Sequence, residues 1–158
     1  MHGETWYFAV KATNHAGLTN IGFSNGITFD AEGPYISCVK LFKGIEMTDP
    51  DTLEEVNYIN SPEDLSVYIK AHDLLSDITN YTVSQGEWNT ALEWQDLGGN
   101  YTWAEPDSLI ALINPGPLLE EGNTAYFKGN CLDSADNLSS SGYTKGVVLD
   151  TTQPVVSN

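Results

Sequence analysis

Hydrophobic and polar residues alternate along several short segments of the chain, which is the pattern of half-buried β-strands. Near the start, for example, Trp6, Phe8 and Val10 alternate with Tyr7 and Ala9. Strands are predicted by alternation or by β-branched content over residues 6–12, 26–30, 35–41, 65–71, 78–84, 91–95, 109–113, 124–133 and 146–150. The only helix signal is one turn within residues 49–57. Short strands with polar turns between them predict an all-β, antiparallel sandwich.

The strand pattern at the start of the chain returns near its end. Ten identities fall within about 36 aligned positions, where average residue usage gives about two. At an offset of 119 the recurring residues are Gly3, Thr5, Tyr7, Phe8 and Ala16, and at an offset of 120, after one inserted residue, they are Leu18, Gly26, Asp30, Pro34 and Ser37. A period of domain size predicts tandem modules, because solenoid repeats are only 20–50 residues long.

The repeat predicts the domain organisation. Residues 1–33 are expected to be the C-terminal, two-strand hairpin of one module, residues 34–154 a complete module, and residues 155–158 the start of a third. The hairpin would lack the other strands of its own module, so we expect it to pack against the complete module or a second chain, or to be poorly ordered.

The loops and final strands resemble those of fibronectin type III and bacterial Ig-like repeats. The segments that carry the resemblance read ATNHAGL, SNGITFDAEGP, LSVYIKAHDLLSDITNYTVSQG, DSADNLSS and KGVVLDTTQP. Asp77 and Asp136 stand where such repeats usually have glycine. The resemblance implies an Ig-like or fibronectin III-like β-sandwich in a secreted or surface-anchored protein, either an adhesin or a spacer beside a catalytic domain.

Composition narrows the choice of partners. The chain has 22 acidic residues, 6 lysines and no arginine, giving a net charge of −16. Nucleic acids and anionic membrane surfaces would be repelled. No apolar run approaches the roughly 20 residues of a membrane span, and no signal peptide is visible in this sequence. An extracellular or cell-surface location is expected from the resemblance.

No catalytic motif is present. The chain has neither a Gly-x-Ser-x-Gly elbow nor a phosphate-binding loop, and its three histidines lack partners at metal-ligand spacing. Adjacent acids are expected by chance in so acidic a chain. The sequence therefore predicts a protein that is not an enzyme.

Two cysteines leave two alternatives open. Cys38 lies in the first strand of the complete module and Cys131 in its penultimate strand. A pair in a secreted domain is usually oxidised, which predicts a Cys38–Cys131 disulfide. The alternative is two buried thiols, because the strands can lie in opposite sheets about 10 Å apart while a disulfide spans about 4.4–6.8 Å between Cα atoms.

Six acidic residues suggest a calcium-binding site. Each pair occupies a segment expected at the inter-domain end of the sandwich: Asp30 and Glu32, Asp73 and Asp77, Asp133 and Asp136. Calcium takes six to eight oxygen ligands, so convergence of these segments would make a site for it. The alternative is ordinary surface acidity.

Aromatic residues give the second functional hypothesis. Trp88, Tyr101 and Trp103 lie in loop-rich sequence, where exposed rings could stack on sugars, whereas Trp94 has the spacing of a core residue. The main expectation is a non-catalytic spacer or adhesion module whose partners are neighbouring modules and a protein or glycan ligand. The alternative is a carbohydrate-binding module accessory to a secreted enzyme.

Overall fold

The regular structure of the chain is all β. The computed structural model of the protein describes residues 1–44, 52, 54–63, 65–87, 93–97, 101–105 (backbone only), 108–113 and 119–156, and no α-helix occurs within these ranges. Of residues 49–57, where a helical turn is predicted, residues 49–51 and 53 lie outside these ranges, and residues 54–57 are not helical. The chain divides into two compact units, Met1–Glu32 and Gly33–Asn158. In the described residues, no helix is long and apolar enough to cross a membrane.

The first unit consists of two short antiparallel ribbons. Strand β1 (Thr5–Trp6) pairs with β4 (Ile27–Thr28), and β2 (Ala9–Thr13) pairs with β3 (Thr19–Phe23). The first predicted strand is thus divided into β1 and β2, and each half takes a separate partner. The side chains of all four strands are exposed.

The second unit contains a four-stranded antiparallel sheet with the order β10-β11-β7-β5. Its strands are β5 (Tyr35–Lys43), β7 (Leu65–His72), β10 (Tyr101–Glu105) and β11 (Ser108–Leu112). The predicted strands at 35–41, 65–71 and 109–113 are confirmed to within about two residues at their ends.

A six-stranded sheet completes the second unit, with the order β6-β14-β12-β8-β9 and with β13 also paired to β12. Its strands are β6 (Tyr58–Ile59), β8 (Ile78–Gly86), β9 (Gln95–Asp96), β12 (Thr124–Asp133), β13 (Gly142–Tyr143) and β14 (Val147–Leu149). All pairings are antiparallel except that of β14 with β6.

One apolar core takes side chains from both sheets of the second unit. Strand β12 alternates between half-buried and buried positions along its whole length, so one face points into the core. The core residues of β12 are Ala125, Phe127 and Cys131, and they join Val39, Leu41, Val67, Ile69, Val83, Leu109 and Val147 from other strands. Burial of each large aliphatic or aromatic side chain contributes about 1.5–3 kcal/mol to folding.

Two glycines allow the core to close. Gly129 and Gly142 lie opposite each other on β12 and β13. A Cβ at position 129 would lie 2.7 Å from Ile69 Cδ1, and one at position 142 would lie 2.7 Å from Ile36 Cγ2. Residues of the four-stranded sheet occupy the space that larger side chains would need.

The final hairpin differs from the prediction. Residues 124–133 and 145–150 pair only through Thr124 with Val148 and Ala125 with Val147. The middle of β12 pairs with β13 instead, a short strand that lies in the predicted loop. Strand β12 therefore pairs with β14 at its start and with β13 further along. In the first unit, β1 and β2 likewise pair with two different strands, β4 and β3.

Candidate functional site

The first unit repeats most of the backbone hydrogen bonds that close the second unit. We call residues 1–32 the first closing segment and residues 120–152 the second. Paired residues in the two segments correspond at an offset of 119 before the loop and 120 after it. Four hydrogen bonds recur. The bonds from Gly3 N–H to Phe29 O and from Glu4 N–H to Met1 O recur as those from Gly122 N–H to Leu149 O and from Asn123 N–H to Glu120 O. The bonds from Ser24 N–H to Phe8 O and from Phe8 N–H to Ser24 Oγ recur as those from Thr144 N–H to Phe127 O and from Phe127 N–H to Thr144 Oγ1.

The same turn closes the loop of both segments. Asn14 Oδ1 accepts hydrogen bonds from the amides of Ala16 and Leu18, each at 3.0 Å. Asp133 Oδ1 accepts from Ala135 and Asn137, each at 2.8 Å. The left-handed position of the turn is Gly17 in one segment and Asp136 in the other, with φ of 79° and 64°. A side-chain oxygen at the first turn position is thus the common requirement, and asparagine or aspartate supplies it.

In the structure, the inserted residue that separates the two offsets lies later in the chain than the sequence alignment placed it. Thr13 pairs with Thr19, and Leu132 pairs with Leu138, so the offset is still 119 at the end of the loop. The extra residue enters after Leu138 and before Gly142. The identity of Leu18 with Leu138 in the sequence alignment was therefore wrong, because Leu18 corresponds structurally to Asn137.

The two segments differ in the burial of their inward faces. In the second, Ala125 and Phe127 are fully buried. Their counterparts in the first, Trp6 and Phe8, are 56% and 62% exposed, and Val10, the counterpart of Gly129, is 70% exposed. In the first closing segment, the positions that face the core in the second unit are therefore exposed. We call Trp6, Phe8, Val10, Gly22 and Ile27 the open face.

A side chain near the start of each closing segment holds the chain where that segment ends. Glu121 accepts hydrogen bonds from the amide and hydroxyl of Thr151 and from the hydroxyl of Thr152. These bonds, led by the Thr151 hydroxyl, hold the pKa of Glu121 below its usual value. We call this arrangement the exit clamp.

The first closing segment has a corresponding clamp of different chemistry. His2 takes the place of Glu121, and its Nδ1 accepts a hydrogen bond from the Ala31 amide at 3.3 Å. Its ring nitrogens lie 3.3 Å from Asp30 Oδ1 and 3.6 Å from Glu32 Oε2. Asp30 and Glu32, two of the predicted calcium ligands, thus flank a histidine within the first unit.

Asp133 is a buried charge held by its own loop. Burial alone would raise its pKa, but hydrogen bonds from the side chain and amide of Asn137, the amide of Ala135 and the hydroxyl of Ser76 outweigh it and lower the pKa. Asn137 Nδ2 donates to Asp133 Oδ2 at 2.9 Å. The carboxylate therefore stays ionised and organises the turn.

The remaining predicted calcium ligands lie in two loops of the second unit. A carboxylate oxygen of Asp73 lies within 4.8 Å of one of Asp133, and oxygen is the ligand class that calcium takes. However, Asp73 Oδ1 already accepts from the amides of Leu75 and Ser76. The carbonyl of Asp77 accepts from the Ser134 amide, and Asp136 occupies the left-handed position of its turn. Most of these groups therefore have structural roles in their turns, and calcium stays a prediction.

Cys38 and Cys131 are not bonded to each other in this structure, where Cys38 is half-buried and Cys131 is buried, and the disulfide stays a prediction. A bulge between Ile36 and Cys38 shifts the register of β5 against β7. After the bulge, Cys38 packs beside a small cluster that includes Phe42, whereas Cys131 lies in the main core. Burial raises the pKa of the Cys131 thiol. A bulge of one residue thus turns Cys38 away from the core that holds Cys131.

The predicted sugar-binding aromatics are only partly described. Trp88 lies outside the described residues, and the backbones of Tyr101 and Trp103 pair with Ala111 and Leu109 in β10 and β11. The prediction that Trp94 belongs to the core was wrong. Trp94 is half-buried, with its ring 5.7 Å from that of Tyr143 and with Lys128 Nζ 4.9 Å from its ring centre.

Comparisons with known proteins give little to add to this geometry. No family model matches the chain, and no curated protein matches it. Among solved structures, the chain is similar to a β-1,2-glucanase from Parabacteroides distasonis, with 17% sequence identity and a TM-score of 0.36 over 85% of this chain. The match spans 16% of the glucanase chain. A likeness at this TM-score carries no argument about fold or activity.

The exit clamp was missed in the sequence. Residue type does not single out Glu121 among 22 acidic residues, although it aligns with His2 and lies at the start of the repeated segment. The signal that could have identified it is the alignment itself, because a residue just before the repeated Gly3 and Gly122 must lie beside the strand that ends the repeat.

Proposed function

We propose that the chain is a non-catalytic, Ig-like β-sandwich repeat of a secreted or surface protein, where it acts as a spacer or adhesion module. The observation that carries this proposal is the closing segment that folds twice with the same hydrogen bonds. A segment that recurs at a domain-sized interval belongs to an array, and arrays serve to extend and present other domains.

The arrangement of the second unit supports a sandwich. Residues of a four-stranded and a six-stranded sheet share one core, and Gly129 and Gly142 of one sheet accommodate Ile69 and Ile36 of the other. An Ig-like sandwich is built from two such antiparallel sheets. The resemblance of the DTTQP ending to those of fibronectin III and bacterial Ig-like repeats points to the same class.

The exit clamp supports a spacer in particular. Glu121 holds Thr151 and Thr152 by four hydrogen bonds, two of them to the hydroxyl groups. A linker held at its root cannot swing freely, which stiffens an array of modules. A charged acceptor also makes these bonds stronger than neutral ones.

Single-molecule pulling between residues 1 and 158 tests the spacer proposal. We expect Gly33–Asn158 to unfold in one cooperative event, because its sheets share one core. At about 3.3–3.6 Å per residue, the released length should be roughly 400–450 Å. Unfolding in several small steps at low force would contradict a module that resists mechanical extension. Glu121→Gln serves as the matched variant and should leave the released length unchanged.

The alternative is a carbohydrate-binding module, and one surface favours it. Trp94 and Tyr143 form an aromatic pair at the surface of the second unit, beside Lys128. Glycan-array binding by the whole chain tests this alternative, with Trp94→Ala and Trp103→Ala compared. Binding lost in either variant would favour the glycan-binding role, and no binding on the array would leave the spacer as the sole proposal.

A further inference from the structure

The open face of the first unit has the residue types of a buried surface although it is exposed. Phe8, Val10 and Ile27 correspond to positions that are fully buried in the second unit or face its core, yet they are 62%, 70% and 64% exposed. Each large apolar side chain left in water forgoes the stabilisation that burial in a core would give. Large apolar side chains exposed at alternate positions of one strand segment, as Trp6, Phe8 and Val10 are, indicate an interaction surface.

Gly22 is an independent sign of the missing partner. It corresponds to Gly142, where a Cβ would collide with Ile36 of the facing sheet. At Gly22 a Cβ would meet no atom within 4 Å, and φ lies outside the left-handed region. Glycine within a strand weakens it unless another chain approaches closely. Nothing in the described residues makes that approach, so the glycine fits a surface that lies over it in the assembled module.

Strand β2 also has an open edge. In the second unit, β12 pairs with β13 on one side and with β8 on the other, through residues Tyr126–Asp133. In the first unit, β2 pairs with β3 alone among the described strands. The amides of Phe8 and Asn14 point to the β3 side. Because strand amides alternate in direction, those of Ala9, Lys11 and Thr13 point to the open edge.

We propose that the open face and the open edge together bind the remaining strands of a module of this same repeat. The occupant is a segment equivalent to residues 33–119, with a β8-like strand on the edge of β2 and β5- and β7-like strands over the face. Position-by-position correspondence with the second unit identifies this occupant. The inference rests on the repeat and goes beyond the spacer role, which concerns the complete second unit.

An extended protein tests this assignment. Residues 33–119 are placed directly before Met1, which then takes the position of Glu120, and the full 158-residue chain follows. Trp6→Ala and Val10→Gly are introduced because Ala125 and Gly129 occupy those places in the second unit. Amide exchange at Ala9, Lys11 and Thr13 should slow by roughly 100-fold or more relative to the unextended chain with the same substitutions.

Two controls make the result specific. Phe8→Asp in the extended protein should abolish the protection, because Phe8 would then occupy the buried place of Phe127, whereas Phe8→Asp in the unextended chain should change nothing. A second extended protein keeps Val10. In it, Ile69 of the added residues 33–119 is replaced by alanine, which makes room for the Val10 side chain. It should give the same protection.

Two results would overturn the proposal. One is exchange at Ala9, Lys11 and Thr13 within threefold of the unextended rates in both extended proteins. The other is slow, concentration-dependent exchange at these amides in the unextended chain together with a dimer in sedimentation, because the occupant would then be a second copy. Neither result bears on whether Gly33–Asn158 unfolds as one mechanical unit.

Discussion

Asp133 shows how one side chain can fix a loop that the rest of the fold depends on. It is fully buried, and its two oxygens accept three hydrogen bonds within the turn, from Ala135 and from both the amide and the side chain of Asn137. Asn14 makes the corresponding two amide bonds in the first unit without a charge. The amide bonds therefore define the turn, and the charge adds the bond from Asn137 Nδ2.

Replacing Asp133 separates these two contributions. Asp133→Asn keeps the Oδ1 acceptor, as Asn14 does, so we expect a loss of about 1 kcal/mol in the free energy of unfolding. Asp133→Ala leaves two loop amides without an acceptor and should cost about 2–4 kcal/mol. Urea denaturation of both variants measures the difference. Equal losses would mean that the amide bonds to the side chain do not determine the turn.

The lowered pKa values of Asp133 and Glu121 predict the direction of acid sensitivity. Their ordinary values are 3.8 and 4.5. Below those values the unfolded chain binds protons that the folded carboxylates still exclude, so stability falls with falling pH until the folded groups are also protonated. Melting temperatures between about pH 5 and pH 2 should fall, and less steeply for Asp133→Asn. A steeper fall in that variant would contradict the assignment.

The cysteines show why side-chain placement escaped sequence reasoning. Alternation along β5 gives Ile36, Cys38 and residue 40 one common face, but the bulge at Ile36/Cys38 changes the face of every later residue. A bulge inserts one residue without an obligatory sequence mark, so the direction of Cys38 could not be predicted. The prediction that Trp94 belongs to the core was wrong for a related reason, because alternation does not show which face of a strand points to the core.

At the scale of elements, the strands of the closing segment were predictable because they alternate strongly and recur. Strand β12 was confirmed at its predicted bounds, Thr124–Asp133. Strand β13 was not predicted, because Gly142–Tyr143 is too short to show a period and forms only through pairing with Lys128 and Gly129. Tertiary pairing, which the local pattern does not contain, determines such short strands.

The repeat supplies a matched pair for testing the core. Phe127 is fully buried and Phe8, its counterpart, is largely exposed. Phe127→Ala should lower the free energy of unfolding by about 3–5 kcal/mol, because it removes apolar contacts and leaves a cavity. Phe8→Ala should change the unfolding free energy of Gly33–Asn158 by less than about 0.5 kcal/mol. Similar losses in both variants would contradict the difference in burial.

At the scale of the whole molecule, the division into units lies beside the predicted boundary at residue 33, and the two units have opposite states of burial. The assignment of the first unit to a separate module stays a prediction. The proximity of Asp73 and Asp133 was also expected from the sandwich, but the loop amides that already occupy their oxygens were not, since such bonds depend on the local path of each turn.

Calcium binding is a prediction that a melting experiment can decide. If the acidic loops bind Ca²⁺, millimolar Ca²⁺ should raise the melting temperature above that in EDTA, by the equivalent of about 2.7 kcal/mol at a hundred times the dissociation constant. Asp73→Asn should reduce the shift. An equal shift with Mg²⁺, or with ionic strength alone, would show that the acids are ordinary surface charges.

The central claim is that one closing segment folds twice, once complemented and once open. Residue-resolved amide exchange of the whole chain tests it directly. The amides of Lys128, Asn130 and Leu132 lie between paired strands β12 and β8 and should exchange only on global unfolding. Their counterparts Ala9, Lys11 and Thr13 should exchange within about tenfold of unprotected rates. Equal protection of the two sets would contradict the account.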